Sequence, residues 1–117
     1  MKFALLIYGK ENINKQLTPE QEEEMLILHR QLQDATVEKG EFVASARLDW
    51  TETAVTVSSD DDGAPLVTDG PFADTKEQFL GLYLLDCDAQ ADAIGYAKSL
   101  PLRHHRVEVR PVGWCRH

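Results

Sequence analysis

Two apolar segments open the chain, and their periods differ. Residues 2–8 (KFALLIY) are almost wholly apolar and end at Gly9, which predicts a central strand under a helix or a strand buried on both faces. Thr18, Pro19 and Gln21 then form a helix start, with a hydroxyl N-cap, a proline at the first helical position and a capping-box partner. The helix continues as an apolar stripe at spacings of three and four and stops at a glycine: Met25, Leu28, Leu32, Ala35 and Gly40.

The middle of the chain has the alternation that is typical of strands. Residues 41–47 (EFVASAR) and 53–58 (TAVTVS) each predict a strand, the second of them half-buried. A turn at 60–63 (DDDG) precedes a short return arm, so a hairpin is expected there. The apolar segment 77–87 (EQFLGLYLLDC) predicts a central strand, in which Gly81 indicates a bulge or a close approach of another backbone.

The last third of the chain predicts a second helix and a final strand. Asp88 is placed to cap this helix and Pro101 to end it. The apolar residues expected on the inner face of the helix and in the strand are Ala93, Ile94, Ala97, Leu100, Val107, Val109 and Val112.

The order of elements, β-α-β-β-(β)-β-α-β, is typical of the α+β class. It matches the ferredoxin-like split βαβ protomer, in which two helices lie on one face of an antiparallel sheet. The opposite face of that sheet needs cover in so small a domain. We therefore predict a homodimer, formed sheet against sheet or along the sheet edges.

Composition and charge limit the classes of protein and of partner. The 117 residues (13.2 kDa) predict a single domain over residues 1–117. Twelve Lys and Arg against twenty Asp and Glu give a net charge of -8, which argues against nucleic acid as a partner. The chain has no run of about 18 apolar residues and no cleavage site of a signal peptide, so we expect a cytoplasmic protein without a membrane partner. Cys87 and Cys115 form no CxxC pair, which predicts two free thiols.

The segment around residue 70 carries the most specific motif. The tetrapeptide DGPF stands at 69–72 within LVTDGPFADTKEQFLG (66–81). Together with the opening MKFALLIYG and the helix residues LHR at 28–30, it resembles the YCII-related, or DGPF-domain, family of small bacterial proteins over essentially the whole chain. The resemblance implies a dimeric α+β barrel built from ferredoxin-like protomers. Leu80 and Asp74 depart from the family pattern, which more often has glycine and glutamate at these positions.

The resemblance implies two different kinds of function. One related branch includes a dehydrochlorinase that acts on a chlorinated hydroxyquinol-type metabolite, and the wider superfamily includes muconolactone isomerases and small monooxygenases. Proteins with this motif also occur beside extracytoplasmic-function sigma factors. An enzyme and a regulatory accessory protein therefore both stay open.

His29 is the first candidate for a catalytic group. It lies four residues after Met25 and three before Leu32, on or beside the apolar stripe, so partial burial is expected. That position suits a core histidine as well as a functional one. The resemblance implies that a helix histidine pairs with an aspartate, for which we choose Asp69, although Asp before Gly-Pro is also ordinary turn chemistry. An imidazole oriented by a carboxylate can move a proton at a carbon next to a carbonyl.

Three further side chains are candidates for substrate binding. Lys76 and Glu77 stand at the mouth of the predicted central strand, where they can direct a charge into the same cleft or form a solvated pair. Tyr8 ends the first strand and can supply a phenolic donor to a developing enolate.

Metals and nucleotide cofactors find little support in the sequence. The aspartates at 60–62 fail the spacing of an EF-hand. His104 and His105 could join Cys115 or His117 around a metal, but adjacent histidines on an extended segment point in opposite directions. GxGxxG, P-loop and GxSxG motifs do not occur, so a nucleotide cofactor or a serine hydrolase has no basis.

The sequence leads to two hypotheses of function. The first is a cofactor-free, metal-free domain in which His29 and Asp69 transfer a proton on a small polar metabolite, as an isomerase or a dehydrohalogenase does. The alternative is a non-catalytic dimeric accessory protein that associates with a partner such as a sigma factor. Its contact surface would be the acidic start of the first long helix or the arginine-rich last strand.

Overall fold

A computed structural model describes residues 1–73 and 75–116 of the chain. The elements in chain order are β1 (Lys2–Gly9), α1 (Glu11–Lys15), α2 (Pro19–Glu38), β2 (Phe42–Arg47), β3 (Val55–Ser59), β4 (Pro65–Asp69), β5 (Gln78–Asp86), α3 (Gln90–Lys98) and β6 (His105–Pro111). Four strands form one antiparallel sheet in the order β2–β5–β1–β6, and β3 pairs with β4 in a separate hairpin. Helices α2 and α3 pack on the same face of the sheet, so the predicted α+β ferredoxin-like arrangement is confirmed.

The core lies between the two longer helices and one face of the sheet. Burial alternates along β1 and β5, because successive side chains of a strand point to opposite faces. In α2 only Leu32 of the predicted stripe is fully buried, and the other buried position is Thr36, whose hydroxyl donates to the Leu32 carbonyl at 2.8 Å. The core residues are Phe3, Leu5, Ile7, Leu32, Tyr83, Leu85, Cys87, Ala93, Ala97 and Leu100.

The predicted limits of α2 are confirmed. The Thr18 hydroxyl accepts from the backbone N–H of Gln21 at 3.2 Å, and the Gln21 side-chain oxygen accepts from the backbone N–H of Thr18 at 2.9 Å. Pro19 is the first helical residue. Gly40, just beyond the last turn, has φ 71°, a conformation that glycine adopts without strain. These local signals hold α2 in the position from which it covers the sheet.

Several predicted boundaries are wrong. Helix α3 begins at Gln90 and its N-cap is Ala89, not Asp88, because the Asp92 carboxylate accepts from the Ala89 backbone N–H at 3.2 Å. Ile94 is 39% exposed and does not join the core. Strand β6 ends at Pro111, so Val112 lies outside it. Helix α1 was not predicted, because one turn and a half is too short to show a helical period.

Gly81 has both properties that its position in β5 predicts. The pairing of β1 with β5 shifts register between Ile7 and Tyr8, opposite Gly81, which marks a bulge. A Cβ at this position would lie 2.6 Å from the Ala46 carbonyl oxygen and 3.3 Å from the Arg47 Cα. Glycine therefore allows β2 and β5 to approach each other here.

Strands β1, β2 and β5 carry apolar residues on the face of the sheet opposite the helices. By strand alternation this face carries six apolar residues, none fully buried, which we call the apolar sheet face: Ala4, Leu6, Ala44, Ala46, Leu82 and Leu84. On strand β6 the same side of the sheet is polar, with Arg106, Glu108 and Arg110. Within the described residues, no helix has the length and apolarity needed to span a membrane.

The β3–β4 hairpin stands apart from the four-stranded sheet. All of its strand residues are exposed except Thr56, which is half-buried. Val57 pairs with Val67 and Val55 with Asp69, so three valines share one exposed face of the hairpin. An isolated two-stranded hairpin is at best marginally stable in water, so this segment depends on its neighbours.

Candidate functional site

A cleft of about 240 Å³ lies between α2 and the part of the sheet formed by β2 and β5. Two of its residues, His29 and Gln33, are one helical turn apart on α2, so their side chains lie on one helix face. The buried alternation of β5 directs Tyr83 toward the same helix. The polar and aromatic lining residues are Asn14, His29, Gln33, Ser45, Arg47, Trp50, Tyr83 and His105.

His29, Tyr83 and Gln33 form a hydrogen-bonded chain in this cleft. The distance between His29 Nδ1 and Tyr83 Oη is 2.7 Å, and Gln33 Nε2 donates to the same hydroxyl oxygen at 3.1 Å. Since Gln33 uses a lone pair of the hydroxyl, the hydroxyl proton stays available for His29 Nδ1. When Tyr83 donates to Nδ1, the ring proton is on Nε2; when Nδ1–H donates to the second lone pair of the Tyr83 oxygen, Nε2 carries the lone pair. In both tautomers Nε2 has no hydrogen-bond partner among the described residues and is the nitrogen available to a ligand.

Burial sets the charge of these groups. It lowers the pKa of His29, and the positive charges of His105 and Arg47 lower that pKa further. Burial also raises the pKa of Tyr83, although the hydrogen bond from Gln33 opposes that shift. At neutral pH the site therefore holds a neutral imidazole and a neutral phenol, the protonation states in which the imidazole can accept a proton from a bound molecule.

His105 is buried at the base of the cleft, and both of its ring nitrogens face oxygen acceptors. Nε2 lies 2.7 Å from the Asn14 side-chain oxygen and Nδ1 lies 3.0 Å from the Pro101 carbonyl. The Asn14 amide group is not flipped by 180°, because its nitrogen donates to the Lys10 carbonyl at 2.8 Å. Its oxygen therefore faces His105. Burial lowers the pKa of His105 while the Pro101 contact opposes the shift, and the neutral ring has one proton for two acceptors.

We expect the two lowered pKa values to make the protein less stable in weak acid. Below the ordinary value of 6.5 the unfolded chain binds protons at His29 and His105 that the folded chain resists. Stability is therefore fully present above that pH and is lost as the pH falls through the folded values. Urea denaturation at about pH 7.5 and about pH 5 measures the change in the free energy of unfolding.

The double variant His29→Gln/His105→Gln is the control for this experiment. It should remove most of the loss of stability between the two pH values, and carboxylates elsewhere account for what remains. An equal pH dependence in the wild type and in the double variant would contradict the assignment.

The structure does not bring the predicted pair His29 and Asp69 together within one chain. Asp69 is exposed at the end of β4, does not line the cleft and makes no hydrogen bond to His29 among the described residues. Tyr83 has the place beside His29 that the prediction assigns to a carboxylate. A role for Asp69 in an assembly of two chains stays a prediction.

Tyr8, Lys76 and Glu77 lie in a different place from His29. They line a second, open groove of about 1020 Å³, whose wall includes Pro71 and Phe72 of the DGPF turn. The Glu77 carboxylate lies 3.4 Å from the guanidinium of Arg106, and the Tyr8 ring lies 5.5 Å from that of Phe79. Leu48 and Trp50 line both the cleft and this groove. The role of the three residues in substrate binding stays a prediction.

Sequence reasoning missed most of the groups around His29. A signal existed for Gln33, which is four residues after His29, and for Tyr83, whose hydroxyl needs a partner when its strand is buried. No local signal connects His105 or Arg47 with His29, because the three residues lie on separate elements. They come close only when the strands pair and α2 packs on the sheet. Among the described residues no group of three His, Cys, Asp or Glu side chains could hold a metal ion, and His117 lies outside them.

The fold and the cleft define a ferredoxin-like α+β domain with a histidine-containing cleft beneath its longest helix. Within that class, the pattern of the YCII-related domain matches residues 1–113, so the chain belongs to the YCII-related family, as the DGPF motif predicts. The chain is similar to an uncharacterised protein of Rhizobium meliloti (strain 1021), with 36% identity over 115 residues that cover 96% of this chain and 92% of that protein.

Proposed function

We propose that the protein is a cofactor-free enzyme that transfers a proton on a small metabolite bound in the cleft, as an isomerase or a dehydrohalogenase does. The observation that carries this proposal is the 2.7 Å contact between His29 Nδ1 and Tyr83 Oη inside a cleft. This contact orients the imidazole, and when Nδ1–H donates to the Tyr83 oxygen it leaves the lone pair of Nε2 for the proton of the substrate. A neutral, oriented imidazole is suited to take a proton from a carbon next to a carbonyl and to return it elsewhere.

Four residues of the cleft have separate roles in the proposed reaction. His29 is the general base and then the general acid. Tyr83 is a positioning residue, which holds the ring and can donate to or accept from Nδ1 as the ring gains and loses its proton. Gln33 fixes the hydroxyl of Tyr83. Arg47, at the same cleft, adds a positive charge that stabilises a developing enolate.

The proposal includes a homodimer. The apolar sheet face and the three exposed valines of the hairpin support it, because both are surfaces that a second copy would bury. In such a dimer Asp69, Tyr8, Lys76 or Glu77 could approach the cleft of the partner subunit. The role of Asp69 as a carboxylate that acts on His29 stays a prediction for that dimer.

Exchange of carbon-bound hydrogen for deuterium tests the proposed reaction directly. The protein is incubated in D₂O with unsaturated lactones and halogenated carboxylic acids, and the signal of the hydrogen next to the carbonyl is followed by ¹H NMR. We expect catalysed exchange that falls by about 100-fold or more in His29→Gln, because the base is removed. Tyr83→Phe should retain part of the activity and change its pH profile, because the base stays but loses its oriented partner.

His104→Gln is the matched control, since His104 does not line the cleft, and it should exchange at the wild-type rate. Equal exchange in the wild type and in His29→Gln would overturn the proposal, as would the absence of exchange above the buffer rate for every compound. Asp69→Asn in the same assay measures whether that carboxylate contributes.

A second candidate function is that of a non-catalytic accessory protein for a partner such as an extracytoplasmic-function sigma factor. The exposed rings of Phe72 and Trp114, 91% and 81% exposed, favour it, because rings so exposed are common at protein interfaces. The glutamates at the start of α2 are exposed as well. Under this function, substitutions in the cleft would have no effect on the biological role.

A further inference from the structure

The charge of the cleft is opposite to the charge of the chain. The chain has twenty Asp and Glu against twelve Lys and Arg. Yet the described residues that line the cleft include Arg47, His29 and His105 and no carboxylate. His105 is buried and His29 is half-buried among apolar walls, which strengthens their interactions with a charged ligand relative to water, and Arg47 adds a charge from the exposed side of the cleft. The electrostatics of the cleft therefore favour an anionic ligand.

Arg47 is the permanent positive charge of the cleft, and it is held loosely. Its guanidinium lies 3.8 Å from the Glu22 carboxylate on α2, and both side chains are more than half exposed. An ion pair of this kind contributes little stability, so a ligand anion can replace it. The charge of Arg47 also acts on both imidazoles, since it lowers the pKa of His29 and of His105.

Two features of the histidines also favour an anion in the cleft. His29 Nε2 carries the ring proton when Tyr83 donates to Nδ1, so it can donate to an anion in the cleft. The neutral His105 ring has one N–H group but faces two oxygen acceptors. An anion nearby would favour the protonated ring, which donates to both acceptors. Neither histidine has a carboxylate among its described hydrogen-bond partners.

The rest of the cleft is apolar and small. Met25 and Leu26 on α2 and Leu80 on β5 form its walls, with the Trp50 ring at a distance of 5.9 Å from the Arg47 guanidinium. A volume of about 240 Å³ is below the range of pockets that hold drug-sized ligands, which begins at about 300 Å³. The ligand therefore has a compact apolar body besides its charge.

We propose that the cleft binds a small organic anion, a carboxylate or phenolate with a compact apolar body, whose charged oxygen lies between the Arg47 guanidinium and His29 Nε2. This inference rests on the cleft being the site of the proposed function, and it names the substrate class for that site. The apolar body packs against Met25, Leu26 and Leu80. The same arrangement places the carbon next to the charged group near His29, whose Nε2 becomes the base when the ring proton lies on Nδ1 and is accepted by the Tyr83 oxygen.

Three probes test the charge and the apolar body separately. Benzoate has both, benzamide lacks the charge, and acetate lacks the apolar body. The chain has two tryptophans, so Trp114→Phe leaves Trp50 at the cleft as the only one, and its fluorescence reports occupancy. We expect benzoate to bind at least about tenfold more tightly than benzamide and than acetate, because each of these lacks one set of contacts.

Substitutions at the cleft identify the side chain that binds the charged group of the ligand. In Arg47→Gln the affinity for benzoate should fall to that for benzamide, while Arg47→Lys should keep the preference for the anion. Arg103→Gln, at an exposed arginine outside the cleft, is the matched control and should bind as the wild type does. Equal affinity for benzoate and benzamide would overturn the inference, and so would the absence of saturable binding of benzoate.

The experiment separates this inference from the proposed function. If benzoate binds in a manner that depends on Arg47 but no compound exchanges hydrogen, the ligand class stands and the proton transfer is wrong. If exchange depends on His29 but neutral lactones bind as tightly as carboxylates, the enzyme stands and the ligand class is wrong.

Discussion

Gly81→Ala is expected to destabilise the protein by roughly 2–3 kcal/mol. The added Cβ would lie 2.6 Å from the Ala46 carbonyl oxygen and 3.3 Å from the Arg47 Cα, and both atoms belong to backbone that cannot rotate away. The two strands would have to separate at the floor of the cleft, so binding of a ligand should weaken as well. Urea denaturation measures the free energy of unfolding, and Trp50 fluorescence with benzoate measures the cleft.

Gly95→Ala is the control for this substitution. Gly95 lies inside α3, and a Cβ there would meet no atom within 4 Å. Alanine favours a helix interior over glycine, so this variant should be more stable by about 0.5–1 kcal/mol. A Gly81→Ala protein as stable as the wild type would show that β2 and β5 are not held together as closely as the structure has them.

Leu84→Glu is expected to convert a dimer into a monomer. Leu84 lies in the middle of the apolar sheet face, opposite Ala4 on β1 and Ala44 on β2. A carboxylate buried between two such faces would lose its hydration without a partner, which costs several kcal/mol. Sedimentation or light scattering at micromolar concentrations should give twice 13.2 kDa for the wild type and 13.2 kDa for the variant.

Ile94→Glu makes the same chemical change on the outer side of α3, away from the apolar sheet face, and should leave the mass of the particle unchanged. A monomeric wild type would contradict the homodimer. A dimeric Leu84→Glu protein would show that the two copies meet through another surface, such as the β3–β4 hairpin.

Much of the fold could be predicted because its signals are local. The capping box of Thr18 and Gln21 and the glycine after α2 depend on residues a few positions apart, so the sequence alone contains them. The apolar run 2–8, from which β1 is predicted, is similarly local. The prediction that Asp88 caps α3 is wrong, because the Asp92 carboxylate caps the helix from inside its first turn. The sequence alone does not show which of the two carboxylates does so.

The site could be predicted only in part, because its contacts join distant segments. His29 was found from its place beside the apolar stripe, but its partner Tyr83 is 54 residues away and is typical of a core residue. Asn14 and His105 are 91 residues apart. The DGPF motif directs attention to Asp69, yet a motif does not show on which side of a sheet its turn lies. Pairing of the strands decides that, and here it places the motif beside the second groove.

The β3–β4 hairpin has a consequence for how this fold can vary. It is part of the connection between β2 and β5, two neighbouring strands that a short turn could join. The entropy of closing a loop grows only with the logarithm of its length, so roughly three doublings beyond a short turn cost about 2 kcal/mol. Insertions or deletions in this excursion should thus be tolerated by the four-stranded sheet, and related chains can differ in length there while the floor of the cleft stays intact.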